Sequence, residues 1–239
     1  MDLGLAGRVA IVTASSKGLG RATAMALSEE GASVVLCARG EEVLRKTEAE
    51  LPGEALALVA DVTDPATPPR LVDAAVERFG RLDVVVANAG GPPPARALDV
   101  TDEGIAAAVE ANATASIRLV QAAVPHLRAN GWGRICLLTS NTVKQPIPEL
   151  ALSSLARTGL WAWAKSAAQD LAADGITLNL ACPGLHATDR LKQLGIGAGQ
   201  PLGDPADFGR VVAFLCSEPA GFVSGAALQI DGAATLGLL

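Results

Sequence analysis

The sequence predicts an α/β fold of the doubly wound class, in which helices cover both faces of a parallel, seven-stranded sheet. Three observations predict it. Short apolar runs alternate with longer helical stretches along the whole chain. The runs are rich in β-branched residues, as expected for strands that are buried on both faces. Half of the 239 residues are hydrophobic, which is enough for the core of one domain spanning residues 1–239.

The first predicted unit is a strand, a turn and a helix. Residues 9–12 form a short apolar run that is too brief for a helix, and a polar turn with two glycines follows at residues 13–20. Residues 21–30 carry small and apolar side chains on one helical face, and Gly31 stands where a helix commonly ends in the left-handed conformation.

This turn is a candidate phosphate site, because the N-terminus of a helix offers unpaired amides and the positive end of the helix dipole. Gly18 and Gly20 lack side chains where the backbone would approach a pyrophosphate. Ala14, however, occupies the place of the first glycine of the usual fingerprint. From these residues alone, an ordinary strand-to-helix turn remains an alternative.

The rest of the chain continues the alternation. Residues 33–38, 55–60 and 82–87 are short apolar runs and are predicted as strands, whereas residues 41–51 and 65–79 have polar faces at helical spacing. Further helices and strands are predicted, in order, at residues 102–130, 134–139, 150–173, 176–181, 205–217 and 226–230.

Composition excludes several classes of function. The net charge of −6, without a Lys/Arg cluster, argues against a nucleic-acid partner. No apolar run reaches the roughly 20 residues that span a bilayer, and the first residues do not resemble a signal peptide, so we expect no membrane association and a cytoplasmic protein. The scattered cysteines indicate buried thiols in a reducing compartment and no metal site. They are Cys37, Cys136, Cys182 and Cys216.

Polar or glycine-rich segments follow the predicted strands, where a parallel sheet binds its ligands. These strand ends carry Thr13-x-x-x-x-Gly18-x-Gly20, Asp61-Val62, Asn88-Ala89-Gly90, Ser140 and Pro183-Gly184. In this order and at this spacing, the motifs resemble those of the short-chain dehydrogenase/reductase family, over essentially the whole chain. The resemblance implies a Rossmann-fold domain that binds a nicotinamide dinucleotide and usually forms a homotetramer. Expected subunit contacts are the helices at 102–130 and 150–173 and the apolar tail at 236–239.

The resemblance also implies which residues bind the cofactor. The phosphates would be lined by Thr13, Ser15, Ser16, Gly18, Leu19 and Gly20; the adenine by Asp61 and Val62; the ribose by Asn88, Ala89 and Gly90; and the nicotinamide end by Pro183, Gly184 and Thr188. Asn112 falls where the family keeps an asparagine for a water-mediated proton relay. A capping aspartate, a simple turn and a helix-surface asparagine are the alternatives for Asp61, residues 88–90 and Asn112.

The choice between NADP and NAD depends on charge. NAD-binding relatives place an acid at the end of the second strand, where it accepts hydrogen bonds from the ribose hydroxyls. Here Cys37 and Ala38 occupy that place, Arg39 follows, and Lys17 lies in the phosphate turn. Two cations without a carboxylate favour a 2′-phosphate, and therefore NADP over NAD, although two solvated charges remain an alternative.

The predicted catalytic centre departs from the family pattern. The family places a tyrosine thirteen residues after the serine that corresponds to Ser140, and a lysine four residues later; this chain has Ser153 and Arg157 there and contains no tyrosine. An aliphatic hydroxyl ionises far too weakly to replace a phenol as acid or base. Arg157 could bind the nicotinamide ribose, but it stays charged and transfers no proton. Lys144 and Glu149 are further polar candidates, with solvated loop charges as the alternative.

The segment VKQPIPELALSSLAR resembles a divergent branch that is grouped with 3-oxoacyl-[acyl-carrier-protein] reductases of fatty acid biosynthesis. It implies an NADP-dependent oxidoreductase that acts on a small-molecule or acyl-thioester carbonyl, with Ser140, Ser153, Arg157 and Asn112 at the catalytic centre and an atypical proton donor. Two alternatives stay open. One is a catalytically silent NADP-binding sensor or oligomer partner, and the other is a dehydratase or isomerase that uses Lys144 or Glu149 as base. The segment from Thr188 to Pro205 is glycine-rich and short for a substrate lid.

Overall fold

A single all-parallel sheet organises the computed structural model, which describes residues 1–193, 199 and 201–238. Its strands are β1 (Val9–Thr13), β2 (Ser33–Ala38), β3 (Ala55–Val59), β4 (Val84–Ala87), β5 (Gly133–Leu138), β6 (Ile176–Pro183) and β7 (Ala227–Ile230). They pair in the order β3-β2-β1-β4-β5-β6-β7. The chain therefore changes direction across the sheet between β1 and β4, and the crevice for a ligand lies at the carboxyl ends of these two strands.

Helices pack on both faces of this sheet. They are α1 (Gly18–Glu29), α2 (Glu41–Glu50), α3 (Thr67–Phe79), α4 (Asp102–Val109), α5 (Ala115–Asn130), α6 (Ala151–Leu171), α7 (Asp189–Gln193) and α8 (Pro205–Leu215). One core cluster joins the sheet to α3, α5 and α6, and the other joins it to α1, α2 and α8. The predicted fold class, with its seven parallel strands and two helical layers, is confirmed.

The predicted helix over residues 102–130 is not continuous. A π-helical turn at Glu110–Thr114 separates α4 from α5 and buries both Asn112 and Ala113. Such a turn holds one extra residue, and helical periodicity in an alanine-rich sequence does not reveal it. Because π turns often occur at functional sites, the position of Asn112 inside this one is relevant to the cleft described below.

Two other differences from the predicted elements concern the second half of the chain. The helix α6 gives way after Leu171 to a 3₁₀ turn at Ala172–Asp174, and the five-residue α7 was too short to be recognised by periodicity. The centre of the glycine-rich segment, at residues 194–198 and 200, lies outside the described residues, as does residue 239. No helix in the described part of the chain is long and apolar enough to cross a membrane.

A network of charged side chains stabilises the opposite, amino-terminal edge of the sheet. The carboxylate of Asp83 is completely buried and accepts hydrogen bonds from Arg8, from Arg81 and from the amide of Val9. Arg81 binds it in a bidentate manner, at 2.6 and 2.7 Å. This arrangement is the strong geometry for a guanidinium and a carboxylate, and it joins β1 to the start of β4 far from the candidate site.

Candidate functional site

A cleft of about 770 Å³ opens at the carboxyl edge of the sheet. Its lining comes from the turns after β1, β2, β3 and β4, together with α4 and the first residues of α6. Of the residues predicted from the sequence, it brings together Ser16, Lys17, Arg39, Asp61, Val62, Ala89, Gly90 and Asn112. The size is typical of small-molecule and cofactor sites.

The turn after β1 closes tightly beneath the start of α1. Ala14 adopts a φ of 47°, the left-handed conformation that glycine would adopt without strain. A Cβ on Gly20 would lie only 2.3 Å from the carbonyl oxygen of Ala14, so this position accepts only glycine. Lys17 is the N-cap of α1 but makes no side-chain capping hydrogen bond. The side chain of the cap therefore leaves the first amides of α1 to other acceptors, and the phosphate site at this turn stays a prediction.

Three predicted cofactor residues also connect neighbouring strands through hydrogen bonds. The hydroxyl of Thr13 donates to the carbonyl of Asn88 at 2.7 Å and accepts from its amide at 2.8 Å, which ties the end of β1 to the end of β4. The buried Ser15 forms hydrogen bonds with the backbone of Cys37 through both its hydroxyl and its amide. The Asn88 amide group donates to the carbonyl of Ala14. These hydrogen bonds hold the three side chains against the backbone of the sheet, and the contacts of these residues with a cofactor stay a prediction.

At the end of the cleft nearest β2 and β3, the structure adds a carboxylate to the two predicted cations. Lys17 and Arg39 both line the cleft, but Nη1 of Arg39 lies 3.6 Å from Oδ2 of Asp61. Hydrogen bonds from Thr63 and the charge of Arg39 lower the pKa of Asp61, so it is ionised at neutral pH. Burial, with a smaller contribution from Asp61, raises the pKa of the Cys37 thiol to about 12. The expectation of two cations without a carboxylate is therefore wrong.

Asn112 lies in the wall of the cleft, where the small residues Gly104, Ala107 and Ala111 leave room. Its Nδ2 donates to the carbonyl of Ala108 at 3.3 Å, whereas its buried Oδ1 has no hydrogen-bond partner in the described part of the chain. A buried acceptor without a partner costs free energy, so this oxygen is a ready site for water or a ligand hydroxyl.

The other three residues of the predicted catalytic centre, Ser140, Ser153 and Arg157, do not line the cleft. Ser140 caps the 3₁₀ turn Asn141–Val143: its hydroxyl accepts from the amide of Thr142 at 3.2 Å. Ser153 lies in the first turn of α6 and is buried on the same face of that helix as Arg157, as their spacing predicted.

Arg157 is an unusual buried cation, with only 6% of its surface exposed. Its Nη1 donates to the carbonyl of Leu138 at 2.9 Å, but its buried Nε has no partner and no carboxylate pairs with it among the described residues. Burial lowers the pKa of Arg157 to about 10, so it remains charged at neutral pH. Its guanidinium is therefore a fixed and incompletely satisfied positive charge at the end of β5.

The two other predicted acid–base candidates are engaged at the surface. Nζ of Lys144 lies 4.9 Å from the ring centroid of Trp161, a cation–π contact. Glu149 forms an exposed ion pair with Arg96 at 3.1 Å. Neither side chain lines the large cleft.

Comparison with known proteins agrees with this architecture. The chain matches the family model described as Enoyl-(Acyl carrier protein) reductase over residues 13–235. It is 32% identical over 243 residues to Dehydrogenase/reductase SDR family member 4 of Sus scrofa, which covers 95% of this chain and 87% of that protein. The chain belongs to the short-chain dehydrogenase/reductase family.

Two other members of the short-chain dehydrogenase/reductase family indicate the range of relatives. The 3-oxoacyl-[acyl-carrier-protein] reductase FabG of Haemophilus influenzae is 32% identical over 235 residues, covering 95% of this chain and 97% of that protein. The crystal structure of L-sorbose reductase from Gluconobacter frateurii, complexed with NADPH and L-sorbose, has a TM-score of 0.92 at 28% identity and covers 100% of both chains.

Three residues that were predicted to contact the nicotinamide end of the cofactor, Pro183, Gly184 and Thr188, do not line the large cleft, and that contact stays a prediction. Pro183 ends β6, and Gly184 packs against Asp231, so neither lines the large cleft. The methyl group of Thr188 lies close to Gly18 in the phosphate turn, 3.6 Å from the position that a Cβ on this glycine would occupy. Gly18 and Thr188 line a separate cavity of about 310 Å³, so Thr188 faces the phosphate turn. Leu19 packs against the core cluster on the α1 side of the sheet.

Several lining residues of the cleft were missed. Thr63 donates to Asp61 through both its amide and its hydroxyl, and Gly104, Ala107 and Ala111 form the wall beside Asn112. The Asp-x-Thr spacing at residues 61–63 is a recognisable turn motif that could have identified Thr63. The small residues of α4 carry no sequence signal that separates a cleft wall from helix packing.

Proposed function

We propose that this protein is an NADP-dependent reductase, which transfers hydride between NADPH and a small-molecule or acyl-thioester carbonyl. The observation that carries the proposal is the start of α1. There, the N-cap residue Lys17 makes no side-chain capping hydrogen bond, and Lys17 lines the cleft together with a second cation, Arg39. Amides at a helix N-terminus bind phosphate, and a guanidinium suits a phosphate monoester.

The cleft has the features that NADP requires. Gly20 leaves no space for a side chain beside the carbonyl of Ala14, which agrees with the close packing of helix and strand in a dinucleotide-binding turn. Asp61 and Val62 would contact the adenine, Ala89 and Gly90 the ribose, and the unpartnered Oδ1 of Asn112 would accept from a hydroxyl or a water. NADPH, when bound, supplies a hydride to the substrate.

The proton route in this proposal avoids both Ser153 and Arg157 as acids. A serine hydroxyl is too weak an acid, and Arg157, whose pKa is lowered only to about 10, holds its proton at neutral pH. Arg157 instead adds positive potential that stabilises negative charge developing on a substrate oxygen. Water bound at the unpartnered Oδ1 of Asn112 would then relay a proton from solvent to that substrate oxygen, so that no side chain acts as the acid.

The test is NADPH consumption by the purified protein with a panel of β-ketoacyl thioesters, ketones and aldehydes. We expect turnover of at least one of these substrate classes, and we expect Asn112→Ala to lose that turnover. No NADPH consumption with any of them contradicts the reductase assignment.

The alternative, a silent NADP-binding sensor or oligomer partner, is favoured by one observation. Arg157 donates to Leu138 and does not line the cleft, whereas a reacting group has to reach the substrate. The double substitution Ser153→Tyr/Arg157→Lys separates the two functions. Reductase activity only in the double variant supports the silent protein, whereas activity already present in the wild type rejects it.

The remaining proposals concern assembly and location. We propose a homotetramer in which α4, α5 and α6 and the exposed residues Leu236 and Leu238 contribute to subunit contacts. Light scattering during size-exclusion chromatography tests it, and a monomeric mass contradicts it. The four buried cysteines of the described chain are all free thiols, which favours the reducing environment of the cytoplasm.

A further inference from the structure

The ion pair between Arg39 and Asp61 lies where, in the proposed function, the 2′-phosphate that distinguishes NADPH from NADH would bind. β2 and β3 are neighbouring parallel strands, with Ala38 opposite Val59, so the residues that follow them meet at one edge of the sheet. Arg39 follows β2 directly, and Asp61 lies two residues beyond β3. Lys17 lines the same cleft from the phosphate turn. A 2′-phosphate placed between the two cations would therefore meet the carboxylate as well.

Asp61 is held in one orientation by its neighbour. Its Oδ1 accepts from the amide of Thr63 at 2.9 Å and from the hydroxyl of Thr63 at 2.8 Å. This leaves Oδ2 directed at Arg39, 3.6 Å from Nη1. The carboxylate is thus fixed, whereas the guanidinium, 82% exposed, is the part of the pair that is able to move.

The pair is weak enough to be exchanged. Asp61 is 42% exposed and the separation is longer than a hydrogen bond, and ion pairs of this kind contribute little to stability. A phosphate monoester, with close to two negative charges, competes well for a guanidinium. An unphosphorylated ribose has no such charge and leaves the pair intact.

We propose that Asp61 determines the cofactor preference of this protein, because it holds the guanidinium that a 2′-phosphate needs and repels that phosphate. This inference rests on the proposed function. NADPH has to draw Arg39 away from Asp61 and bind beside a fixed negative charge. NADH avoids both costs, so Asp61 limits the advantage that Lys17 and Arg39 give to NADPH.

The test is Asp61→Asn, which removes the charge and keeps the Oδ1 acceptor for Thr63. Dissociation constants of NADPH and NADH are measured by titration calorimetry, and the preference is their ratio. We expect the Kd of NADH divided by the Kd of NADPH to rise by about tenfold. An effect of this size is typical of one contact between two charges at a protein surface. Asp64→Asn is the matched control: it removes an equal charge three residues away, on an exposed side chain that does not line the cleft.

A second arm examines whether Asp61 acts through Arg39. In an Arg39→Gln background, Asp61→Asn is expected to shift the ratio less than in the wild type, because only the direct repulsion between Asp61 and the phosphate is left to remove. An unchanged ratio in Asp61→Asn, or an equal shift in Asp64→Asn, overturns the inference. Wild-type protein that binds neither nucleotide overturns the proposed function itself, a result distinct from binding of both nucleotides with a ratio that does not respond to Asp61.

Discussion

Replacing Arg157 with methionine is expected to stabilise the protein. The guanidinium is buried without a carboxylate partner in the described chain, and its pKa is lowered to about 10 because burial removes it from water. Since each pKa unit below the usual value corresponds to about 1.4 kcal/mol, the buried charge destabilises the folded protein by about 3 kcal/mol. Methionine has a similar length and no charge, so this cost disappears.

One interaction is lost in return. Arg157 donates to the carbonyl of Leu138, and losing a hydrogen bond of this kind costs about 1 kcal/mol. The free energy of unfolding of Arg157→Met is therefore expected to exceed that of the wild type by about 2 kcal/mol, which corresponds to a rise of about 4–8 °C in Tm for a chain of this length. Urea and thermal denaturation of both proteins measure it directly.

The pH dependence of this gain has a defined sign. The pKa of Arg157 is lower in the folded protein than in the unfolded chain, so the folded charge is penalised at every pH below about 10. The gain in Arg157→Met is therefore constant around neutral pH. It shrinks only as the pH rises above about 10, where the wild-type side chain loses its proton on folding.

Arg134→Met is the matched control, because Arg134 is a second buried arginine whose donors are satisfied. It donates to the carbonyls of Ser217, Gly133 and Gly175 and lies over the ring of Trp132. Its loss leaves buried carbonyls without partners, and we expect destabilisation by about 3 kcal/mol. If Arg157→Met is also destabilised by more than about 1 kcal/mol, the guanidinium is satisfied in solution and the reasoning fails.

Two further substitutions test the packing of the site and of the opposite edge. Gly20→Ala would place a Cβ 2.3 Å from the carbonyl oxygen of Ala14, so we expect the free energy of unfolding to fall by about 3 kcal/mol and NADPH binding to be lost. Gly90→Ala, with open space at its Cβ, should match the wild type in denaturation. A stable Gly20→Ala that still binds NADPH contradicts the tight turn. Asp83→Asn leaves Arg8 and Arg81 without their buried carboxylate. We expect its free energy of unfolding, measured by urea denaturation, to fall by about 3 kcal/mol. A change below about 1 kcal/mol contradicts the stabilising role of this network.

Much of the fold was predictable because buried parallel strands have a strong sequence pattern. The second strand was predicted at its observed bounds, Ser33–Ala38. Gly80 and Gly131 end α3 and α5 in the left-handed conformation, in which glycine commonly ends a helix. The π turn at Glu110–Thr114 escaped prediction because the alanine-rich sequence has the same apolar periodicity with or without an extra residue.

The candidate site was predictable in position but less so in the direction of its side chains. The hydroxyls of Thr13 and Ser15 bind the backbone of neighbouring strands, which a motif does not reveal because it gives residue types and not their partners. The pairing of Arg39 with Asp61 joins residues that are distant in sequence but follow adjacent strands. Once the strand order is known, that proximity follows from parallel pairing, and the charge at this end of the cleft can be counted correctly.

The central claim is that the start of α1, with Lys17 and Arg39, binds a phosphorylated dinucleotide. Titration calorimetry of the purified protein with NADPH tests it most directly. We predict saturable binding with a Kd in the micromolar range, on the order of −7 to −8 kcal/mol, that weakens at high salt. No binding at millimolar NADPH, or binding that Gly20→Ala leaves unchanged, contradicts the claim.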